Sequence, residues 1–242
     1  MRSKAIIVGQ QTGRPVRQRN RRGPIITIDG PAGVGKSTIA KQLASRLGYQ
    51  YLDTGALYRA VAWKVQASGV DPTDHQTVSK LLSETRIALE QSSDGVRVLV
   101  DDRDVTREIR TPEISEVASV VSAIPTVRQW LLPVQRQASA SVGVVAEGRD
   151  LGTHVFPEAD VKFFLEADVD IRAARRRDQL RAAGQITSLA QTQEDIKVRD
   201  LRDRSRVVAP LVPAADARLI NTSILGVDAI VEQMVAVIAS KL

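Results

Sequence analysis

Short apolar runs alternate with amphipathic stretches along most of this chain. Five of the runs have the length and composition of buried strands, at 25–28, 49–52, 144–146, 161–165 and 219–220. Apolar positions at helical spacing follow most of them, at 38–47, 55–67, 171–183 and 227–238. Because strands that alternate with helices pair in parallel, the pattern predicts an α/β fold, with a five-stranded, mainly parallel sheet and helices on both faces.

A long interruption separates the second of these strands from the third. Alternating or turn-like segments at 87–90, 96–100 and 102–105 surround the turn sequence Ser93-Asp94-Gly95, as short antiparallel strands do. Helices are predicted at 113–122 and 126–140, because Pro112 and Pro125 stand where the first turn of a helix accepts proline. We therefore expect a small antiparallel β subdomain with helices, inserted at about 55–140 into a single domain that spans 23–242.

The net charge of +6 is concentrated at the N-terminus. Residues 1–22 hold seven of the 34 Lys and Arg residues and no acid, which leaves 27 bases against 28 acids in the rest of the chain. Such a basic segment is typical of a disordered, solvated tail, and we expect one at 1–22. A contact of this tail with RNA or a membrane surface is the alternative, but nucleic acid is not an expected partner of the near-neutral body.

The composition also limits which metal sites, catalytic groups and cellular locations fit the chain. The absence of cysteine excludes disulfides and thiolate metal sites and agrees with a cytoplasmic location. The two histidines, His75 and His154, lie far apart in the sequence and are not expected to form a metal cluster or a nucleophile relay. No apolar stretch suits a membrane span or a secretory signal, so we expect a soluble protein without a membrane partner. We also expect a monomer.

The sequence between the first strand and the first helix has the motif G-x-x-x-x-G-K-S of a phosphate-binding P-loop. Glycines in such a loop let backbone N–H groups point at phosphate oxygens, and the helix that follows adds the positive end of its dipole. Lys36 is expected to reach the β- and γ-phosphates, and Ser37 to ligate Mg²⁺. A P-loop alone fits kinases, GTPases, motor ATPases and helicases, so the motif predicts a nucleotide site without specifying the reaction. The predicted site for the nucleotide with Mg²⁺ consists of Gly30, Pro31, Ala32, Gly33, Val34, Gly35, Lys36, Ser37 and Thr38.

Arginines near the carboxyl ends of the predicted strands provide ligands for a second phosphate. Thr54 lies at a helix start and Arg59 about one turn further on, which suits a dianionic phosphate. Arg149 and Asp150 follow the strand 144–146, at the sheet edge where ligands of open α/β sheets bind. The sequence therefore predicts two phosphate sites rather than one.

A predicted pair of helices near the C-terminus is rich in arginine. Arg175 and Arg176 lie on its first helix, and Arg199, Asp203 and Arg206 are spaced along one face of the second. The segment 172–206 has ten bases against five acids, so ion pairs within it cannot neutralise it. A solvated charged face is the alternative. We predict a mobile helical lid at about 172–206, with Arg175 and Arg176 as contacts of the transferring phosphate.

Taken together, the motifs of this chain resemble those of the bacterial-type cytidylate kinases, in the nucleoside monophosphate kinase branch of P-loop proteins. The resemblance extends from about Pro24 to Leu242. Its most specific blocks are Ile28-Asp29-Gly30-Pro31, Leu52-Asp53-Thr54-Gly55-Ala56-Leu57-Tyr58-Arg59, Glu108-Ile109-Arg110-Thr111, Glu147-Gly148-Arg149-Asp150-Leu151-Gly152-Thr153, and Arg202-Asp203-Arg204-Ser205-Arg206 followed by Ala209-Pro210-Leu211.

This resemblance implies transfer of the γ-phosphoryl group of ATP to CMP or dCMP, with Mg²⁺. It implies that the CMP phosphate binds Thr54, Arg59, Arg149 and Arg206, that cytosine faces Ser119, Arg128 and Asp150, and that the sugar is reached by Arg199 and Asp203. A carboxylate beside an arginine suits cytosine, whose N4 donor adjoins the N3 and O2 acceptors. The family often has Asp where this chain has Glu147, and either carboxylate can accept hydrogen bonds from Mg²⁺-bound water.

Two other functions fit part of the sequence. One is a different small-molecule P-loop kinase, which acts on another monophosphate or on a hydroxyl acid such as shikimate. The other is an NTPase that uses ATP as a switch, while the basic tail and the arginine-rich helices contact nucleic acid. A panel of acceptors tests the first, and salt-sensitive RNA binding that depends on residues 1–22 tests the second.

Overall fold

A computed structural model describes residues 5–8, 23–92, 95–137 and 143–242 of the chain. The strands are β1 (Ala5–Val8), β2 (Ile25–Asp29), β3 (Gln50–Asp53), β4 (Ile87–Ser92), β5 (Gly95–Val100), β6 (Arg103–Asp104), β7 (Val144–Glu147), β8 (Val161–Glu166) and β9 (Arg218–Asn221). The α-helices are α1 (Lys36–Leu47), α2 (Thr54–Ala67), α3 (His75–Ser83), α4 (Pro112–Val121), α5 (Pro125–Gln137), α6 (Val169–Ala182), α7 (Leu189–Arg204) and α8 (Val227–Lys241). A 3₁₀ turn, Glu108–Arg110, and a π-helical turn, Leu151–Val155, lie between them.

These elements belong to two compact units, each with its own sheet. The parallel-sheet unit consists of the described residues of Arg22–Asp53 and Val142–Leu242. The antiparallel-sheet unit consists of the described residues of Met1–Arg21 and Thr54–Ser141.

The parallel-sheet unit has five strands in the order β3-β7-β2-β8-β9, all of them parallel. This confirms the predicted five-stranded sheet, and each strand overlaps one of the predicted apolar runs. The central strand is β2, which places Ile28 beside Glu147 of β7 and Asp29 beside Phe164 of β8. Because parallel strands run in one direction, the loops that follow β2 and β7 start next to each other at one edge of the sheet.

Apolar side chains from the sheet and from α1 and α8 form the core of this unit. Ile26 of β2, Leu43 of α1 and Met234 of α8 are fully buried, and burial of a side chain of this size contributes about 1.5–3 kcal/mol to stability. Helix α1 ends at Leu47 because Gly48, with φ +65°, adopts a left-handed conformation that turns the chain away.

The antiparallel-sheet unit has four strands in the order β1-β4-β5-β6. Strands β4, β5 and β6 confirm the predicted small antiparallel sheet, and Ala5–Val8 adds a strand that the sequence does not predict. The predicted strand 102–105 is shortened to Arg103–Asp104. The reason is that Asp101 and Asp102, with φ +49° and +65°, form the turn that precedes it.

Four helices, α2 to α5, belong to this unit, and the sequence predicts three of them. Helix α4 begins at Pro112 with the Thr111 Oγ1 accepting a hydrogen bond from the Ile114 N–H at 3.3 Å. The sequence does not predict α3, because only Val78 and Leu82 of its residues are buried and the apolar stripe is short.

Three predictions extend beyond the part of the chain that the structure describes. They are the basic tail at 1–22 apart from Ala5–Val8, the turn at 93–95, of which only Gly95 is described, and the last residues of the helix 126–140.

Helices α6 and α7 form the predicted arginine-rich pair, and they pack against each other in the parallel-sheet unit. Gly184, with φ +80°, lies in their connection. Helix α7 ends at Arg204, so the prediction that Arg206 continues its charged face is wrong. The chain turns after the helix, and the Leu211 N–H donates to the Asp203 carbonyl oxygen at 2.9 Å.

In the described ranges, no single helix is both long and apolar enough to cross a membrane. The bent pair α4 and α5, whose axes differ by 105°, reaches that length and composition only when the two helices are taken together. Their apolar residues, such as Ile114 and Leu131, are buried.

Candidate active site

The predicted P-loop residues form the connection between β2 and the first turn of α1. Gly30 has φ +148°, and a Cβ there would lie 2.3 Å from the carbonyl oxygen of Leu165. Gly33 has φ +78°, and its Cβ would lie 3.0 Å from the carbonyl oxygen of Arg172. At Gly30 the neighbour is a backbone atom, so a side chain there would displace the loop, and at Gly33 a side chain would combine a tight contact with a strained positive φ. The fold of the loop therefore requires both glycines.

The ammonium group of Lys36 lies across this loop. Its Nζ donates hydrogen bonds to the carbonyl oxygens of Gly30 and Pro31, at 2.8 and 2.6 Å. Burial lowers the pKa of Lys36 well below its ordinary value, and the charges of Arg149 and Arg199 lower it further, while nearby carboxylates oppose this effect. An anion bound in the loop would favour the charged form, so this lysine suits a polyphosphate ligand.

Two hydroxyl groups hold the carboxylate of Glu147 at the end of β7. The Ser37 Oγ donates to Oε2 at 2.9 Å, and the Tyr51 hydroxyl donates to Oε1. Burial raises the pKa of Glu147, and the charge of Asp53, its neighbour on β3, raises it further.

Ser37, Asp53 and Glu147 offer hard oxygen ligands of the kind that Mg²⁺ prefers. Mg²⁺ commonly binds one or two carboxylates together with substrate phosphates and water. Among the residues that the structure describes, no group of three or more His, Cys, Asp or Glu is placed to hold a metal. This donor set therefore fits Mg²⁺ that arrives with a phosphate ligand.

Asp29, the last residue of β2, connects this strand to the segment that follows β7. Its Oδ1 and Oδ2 accept hydrogen bonds from the N–H groups of Leu151 and Gly152, at 2.9 and 2.8 Å. Burial raises the pKa of Asp29 to about 6, and the charge of the buried Asp150 acts in the same direction, while the two backbone bonds lower it. Asp29 thus fixes the position of the segment that carries Arg149 and Asp150.

Three arginines of the predicted acceptor site surround the carboxylate of Asp203. Arg149 Nε donates to Oδ2 at 2.9 Å, and Arg206 Nη2 donates to Oδ1. Although burial opposes ionisation, the charges of Arg149, Arg206 and Arg199 hold the pKa of Asp203 below its ordinary value. Arg149 Nη1 also donates to the carbonyl oxygen of Gly30 at 2.6 Å, so this arginine cluster adjoins the P-loop. One carboxylate among three guanidinium groups leaves positive charge that suits a phosphate.

Arg175 and Arg176, the predicted lid contacts, have different surroundings on α6. Arg175 donates from Nη1 to the Thr222 Oγ1 at 3.1 Å, and from Nη2 to the Thr222 carbonyl oxygen at 2.7 Å. Burial lowers the pKa of Arg176, against the effect of the Asp195 charge. The contact of either arginine with a transferring phosphate stays a prediction.

The other predicted acceptor residues lie in the antiparallel-sheet unit, with Thr54 and Arg59 on α2, Ser119 on α4 and Arg128 on α5. Arg128 is 2% exposed. Its guanidinium lies 5.4 Å from the centre of the Tyr58 ring, and its Nη1 donates to the Ser122 carbonyl oxygen at 3.1 Å. Arginine is almost never buried to this extent unless it is paired, so Arg128 differs from an ordinary surface arginine.

The sequence assigns no role to Asp29, Tyr51, Arg172 or Thr222, although all four contact residues of the candidate site. Asp29 directly precedes the first glycine of the motif, so its position in the chain was a usable signal. Arg172 and Thr222 lie 140 and 188 positions from the loop carbonyls that they contact, and no local pattern marks them.

Comparison with known proteins finds close relatives of the chain. The family model described as "Cytidylate kinase" matches residues 26–240. The cytidylate kinase of Pelotomaculum thermopropionicum is 47% identical over 214 residues, which cover 88% of this chain and 95% of that protein. The cytidylate kinase of Desulfitobacterium hafniense is 46% identical over 216 residues, which cover 89% of this chain and 93% of that protein. The bifunctional pantoate ligase/cytidylate kinase of Synechococcus elongatus is 47% identical over 219 residues, 88% of this chain, and the chain spans 42% of its length.

Proposed function

The chain belongs to the cytidylate kinase family, and from this premise we propose that it transfers the γ-phosphoryl group of ATP to CMP or dCMP, which gives ADP and CDP or dCDP. One observation carries the proposal: Arg149 contacts both the P-loop carbonyl of Gly30 and the carboxylate of Asp203. This arginine thereby joins a loop suited to the phosphates of a donor to a cluster suited to the phosphate of an acceptor.

ATP is the proposed donor. The backbone N–H groups of the P-loop, the positive end of the α1 dipole and Lys36 would bind its β- and γ-phosphates. The phosphate charge favours the ammonium form of Lys36, which burial alone disfavours. Ser37, Asp53 and Glu147 would hold Mg²⁺, which supplies positive charge to the phosphate oxygens when bound.

The acceptor phosphate is proposed to bind the arginine cluster around Asp203. Arg149 and Arg206 both donate to the Asp203 carboxylate, and guanidinium groups of this kind make strong, charge-assisted hydrogen bonds to a dianionic phosphate. Asp203 keeps both guanidinium groups oriented before the acceptor arrives. Thr54 and Arg59 are proposed as further phosphate ligands, and Arg199 with Asp203 as ligands of the sugar.

Cytosine is the proposed base, with Ser119, Arg128 and Asp150 as its ligands. Asp150 offers an acceptor for the N4 amino group, and Arg128 offers donors for N3 and O2. Uracil would present a carbonyl oxygen to the carboxylate instead. Since an unpaired or opposed polar group costs about 1–3 kcal/mol, selection of cytosine over uracil follows from this assignment.

The proposed reaction needs no covalent intermediate on the protein. The residues of the two phosphate sites hold the acceptor oxygen in line with the γ-phosphorus, which removes most of the entropic cost of the encounter. Lys36 then stabilises the charge that develops on the phosphoryl oxygens. Arg175 and Arg176 are proposed to approach as α6 and α7 close, and closure excludes water that would otherwise accept the phosphoryl group.

Release of ADP in a coupled assay tests this function directly. The full-length chain with ATP and Mg²⁺ is offered CMP, dCMP, UMP, AMP and shikimate in turn. We expect CMP and dCMP to be the best acceptors and kcat/KM for UMP to be lower by roughly tenfold or more. Release of ADP with AMP or shikimate but not with CMP would contradict the proposal.

The substitution Lys36→Ala tests the donor site in the same assay. We expect kcat with CMP to fall by about a hundredfold or more, because the loss of one preorganised charge partner in the transition state has effects of this size. Lys80→Ala, which removes an exposed lysine of α3, is the matched control and should keep the wild-type rate. Near-normal turnover by a folded Lys36→Ala variant would exclude the assigned role of Lys36.

A further inference from the structure

Two carbonyl groups of the P-loop are held by side chains from outside the motif. The Thr222 hydroxyl, just after β9, donates to the Val34 carbonyl oxygen at 2.9 Å. Arg172 Nη1, on α6, donates to the Ala32 carbonyl oxygen at 3.2 Å. Thr222 and Arg172 are buried, with 1% and 6% of their surface exposed, and the Thr222 bond is shielded from water.

The geometry of the peptide bond converts these contacts into a constraint on the N–H groups of the loop. In a planar trans peptide the C=O and the following N–H point in opposite directions. A bond that fixes the Val34 carbonyl therefore fixes the Gly35 N–H on the other side of the chain, and a bond to the Ala32 carbonyl does the same for the Gly33 N–H. N–H groups of this kind are the ones that a P-loop directs at phosphate oxygens.

The constraint matters because the residues that follow the two fixed carbonyl groups are glycines, whose backbone is flexible. Gly33 and Gly35 have φ +78° and +92°, and glycine accepts a wide range of other backbone angles at little cost. The peptide planes that precede them could therefore rotate if nothing held their carbonyl groups. A bond from a buried side chain keeps each N–H in one direction before a ligand binds.

Arg175 determines the direction of the Thr222 hydroxyl. The hydroxyl has one proton and can accept hydrogen bonds at its lone pairs. Arg175 donates to the Thr222 Oγ1 at 3.1 Å and to the Thr222 carbonyl oxygen at 2.7 Å, so the hydroxyl proton is directed to Val34. The Thr222 N–H donates to the Glu166 carbonyl oxygen at 2.8 Å, which anchors the residue from its other side.

We propose that Thr222, oriented by Arg175, is a positioning residue of the P-loop: its hydroxyl holds the Val34–Gly35 peptide so that the Gly35 N–H faces the phosphates of the donor nucleotide. This inference rests on the proposed function only in taking the P-loop as the ATP site. It gives Arg175 a second role, in the unliganded protein, that does not require closure of a lid.

Two substitutions at position 222 separate the effect of the hydroxyl group from the effect of side-chain shape. Thr222→Val keeps the shape of the side chain and removes the hydroxyl, whereas Thr222→Ser keeps the hydroxyl. We measure the Kd for ADP with Mg²⁺ by calorimetry on the full-length chain, and the KM for CMP at saturating ATP. The Kd should rise about three- to tenfold in Thr222→Val, which is the effect of one lost hydrogen bond, and return to within about twofold of wild type in Thr222→Ser. The KM for CMP should change by less than about twofold in both variants.

A double-mutant cycle tests whether Arg175 acts through Thr222. Arg175→Met keeps the aliphatic stem and removes the donors. ADP is the probe because it lacks the γ-phosphate, which Arg175 is also proposed to contact. We expect Arg175→Met to raise the Kd for ADP in the wild-type background and to have no further effect in the Thr222→Val background. Additive effects would overturn the orienting role of Arg175.

Three results would overturn the positioning role of Thr222. They are an unchanged Kd for ADP in Thr222→Val, equal losses in Thr222→Val and Thr222→Ser, or a parallel rise in the KM for CMP. If thermal unfolding shows that Thr222→Val does not fold, Arg175→Met decides the question, and an unchanged Kd for ADP then overturns the role. Failure of the proposed function looks different, since a wild-type chain that binds ADP but phosphorylates neither CMP nor dCMP leaves these comparisons of ADP affinity valid.

Discussion

At the scale of single residues, burial shifts the pKa values of three groups at the carboxyl edge of the parallel sheet. It lowers the pKa of Lys36 and raises the pKa values of Glu147 and Asp29. The proposed phosphate ligand and Mg²⁺ would give Lys36 and Glu147 partners of opposite charge, which would favour their charged forms. The partners of Asp29 are two backbone N–H groups of the protein itself, which donate hydrogen bonds to its carboxyl group. Because these partners do not depend on a ligand, the titration of Asp29 should be measurable in the unliganded protein.

The stability of the protein should therefore depend on the titration of Asp29. The pKa of Asp29 is about 6 in the folded chain, against an ordinary value of 3.8. Between these values the folded state keeps a proton that the unfolded state has released, so the free energy of unfolding falls as pH rises from about 4 to about 6. Asp29→Asn does not titrate. We expect the wild-type free energy of unfolding, minus that of Asp29→Asn, to fall by about 2–3 kcal/mol over this range.

Urea unfolding at intervals between pH 3 and pH 7 measures this difference. Asp71→Asn is a control of opposite sign, because the backbone N–H and the hydroxyl of Thr73 hold the pKa of the exposed Asp71 carboxyl below its ordinary value. The corresponding difference for Asp71→Asn should rise with pH at the acid end of the range. Parallel curves for wild type and Asp29→Asn would show that Asp29 does not titrate as described.

Residues inside contiguous motifs were predictable from the sequence, whereas residues that complete the site from a distance were not. Gly30 and Lys36 belong to one short pattern whose chemistry is local. The position of Arg149 after a predicted strand placed it at the sheet edge, whereas the role of Asp203 was assigned through the resemblance to cytidylate kinases. The structure brings the two residues together across 54 positions. Thr222 could not be found in this way, because its role depends on a hydrogen bond to a carbonyl 188 positions away.

At the scale of elements, burial decides how much the sequence reveals. The three inner strands of the parallel sheet, β7, β2 and β8, are almost wholly buried and form continuous apolar runs, which made them predictable. The edge strands β3 and β9 bury only Leu52 and Ile220, and their shorter apolar runs were still sufficient for prediction. Elements with little buried surface give a weaker signal. Helix α3, for example, buries only Val78 and Leu82. The π-helical turn Leu151–Val155 is largely buried, but it is held by hydrogen bonds to the distant Asp29, which no local pattern indicates.

The P-loop is the element in which a small substitution should have the largest effect. In Gly30→Ala, the new Cβ would lie 2.3 Å from the Leu165 carbonyl oxygen at a φ of +148° that L residues rarely adopt. Strain of this kind costs on the order of 3 kcal/mol, so we expect a clearly lower midpoint of thermal unfolding and a loss of ADP affinity. Differential scanning fluorimetry with and without ADP and Mg²⁺ measures both effects.

Gly226→Ala is the matched control for this substitution. Gly226 precedes α8 with φ −69°, and a Cβ there would meet nothing within 4 Å. Its unfolding temperature and its response to ADP should stay close to those of the wild type. A Gly30→Ala variant that behaves like Gly226→Ala would show that the close approach to Leu165 does not constrain the loop.

At the scale of the whole molecule, the proposed roles fall in different parts of the chain. The residues proposed for ATP and Mg²⁺ lie in the parallel-sheet unit, as do Arg149 and Asp203. Ser119 and Arg128, proposed for the base, lie in the antiparallel-sheet unit. The sequence reveals this second unit as a break in the alternation of strands and helices, and its resemblance to cytidylate kinases supplied the roles of its residues.

Arg128→Ala should therefore affect the acceptor and not the donor. We expect the KM for CMP to rise about tenfold or more, because charge-assisted hydrogen bonds to the base contribute about 1.5–3 kcal/mol. The KM for ATP should change by less than about twofold. Initial rates measured with each substrate varied at a saturating concentration of the other separate the two effects.

The interpretation of Arg128→Ala depends on separating lost recognition from lost packing, because this arginine also contacts the Tyr58 ring and the Ser122 carbonyl group. Arg107→Ala, which removes an exposed arginine of the same unit, is the control for a change of net charge and should leave both KM values unchanged. A loss of packing alone would lower the unfolding temperature and reduce the active fraction, which lowers the apparent kcat without a preference for one substrate. A selective rise in the KM for CMP would support the assignment of Arg128 to the base. Equal rises in both KM values would show that the donor and acceptor roles are not divided between the two units as proposed.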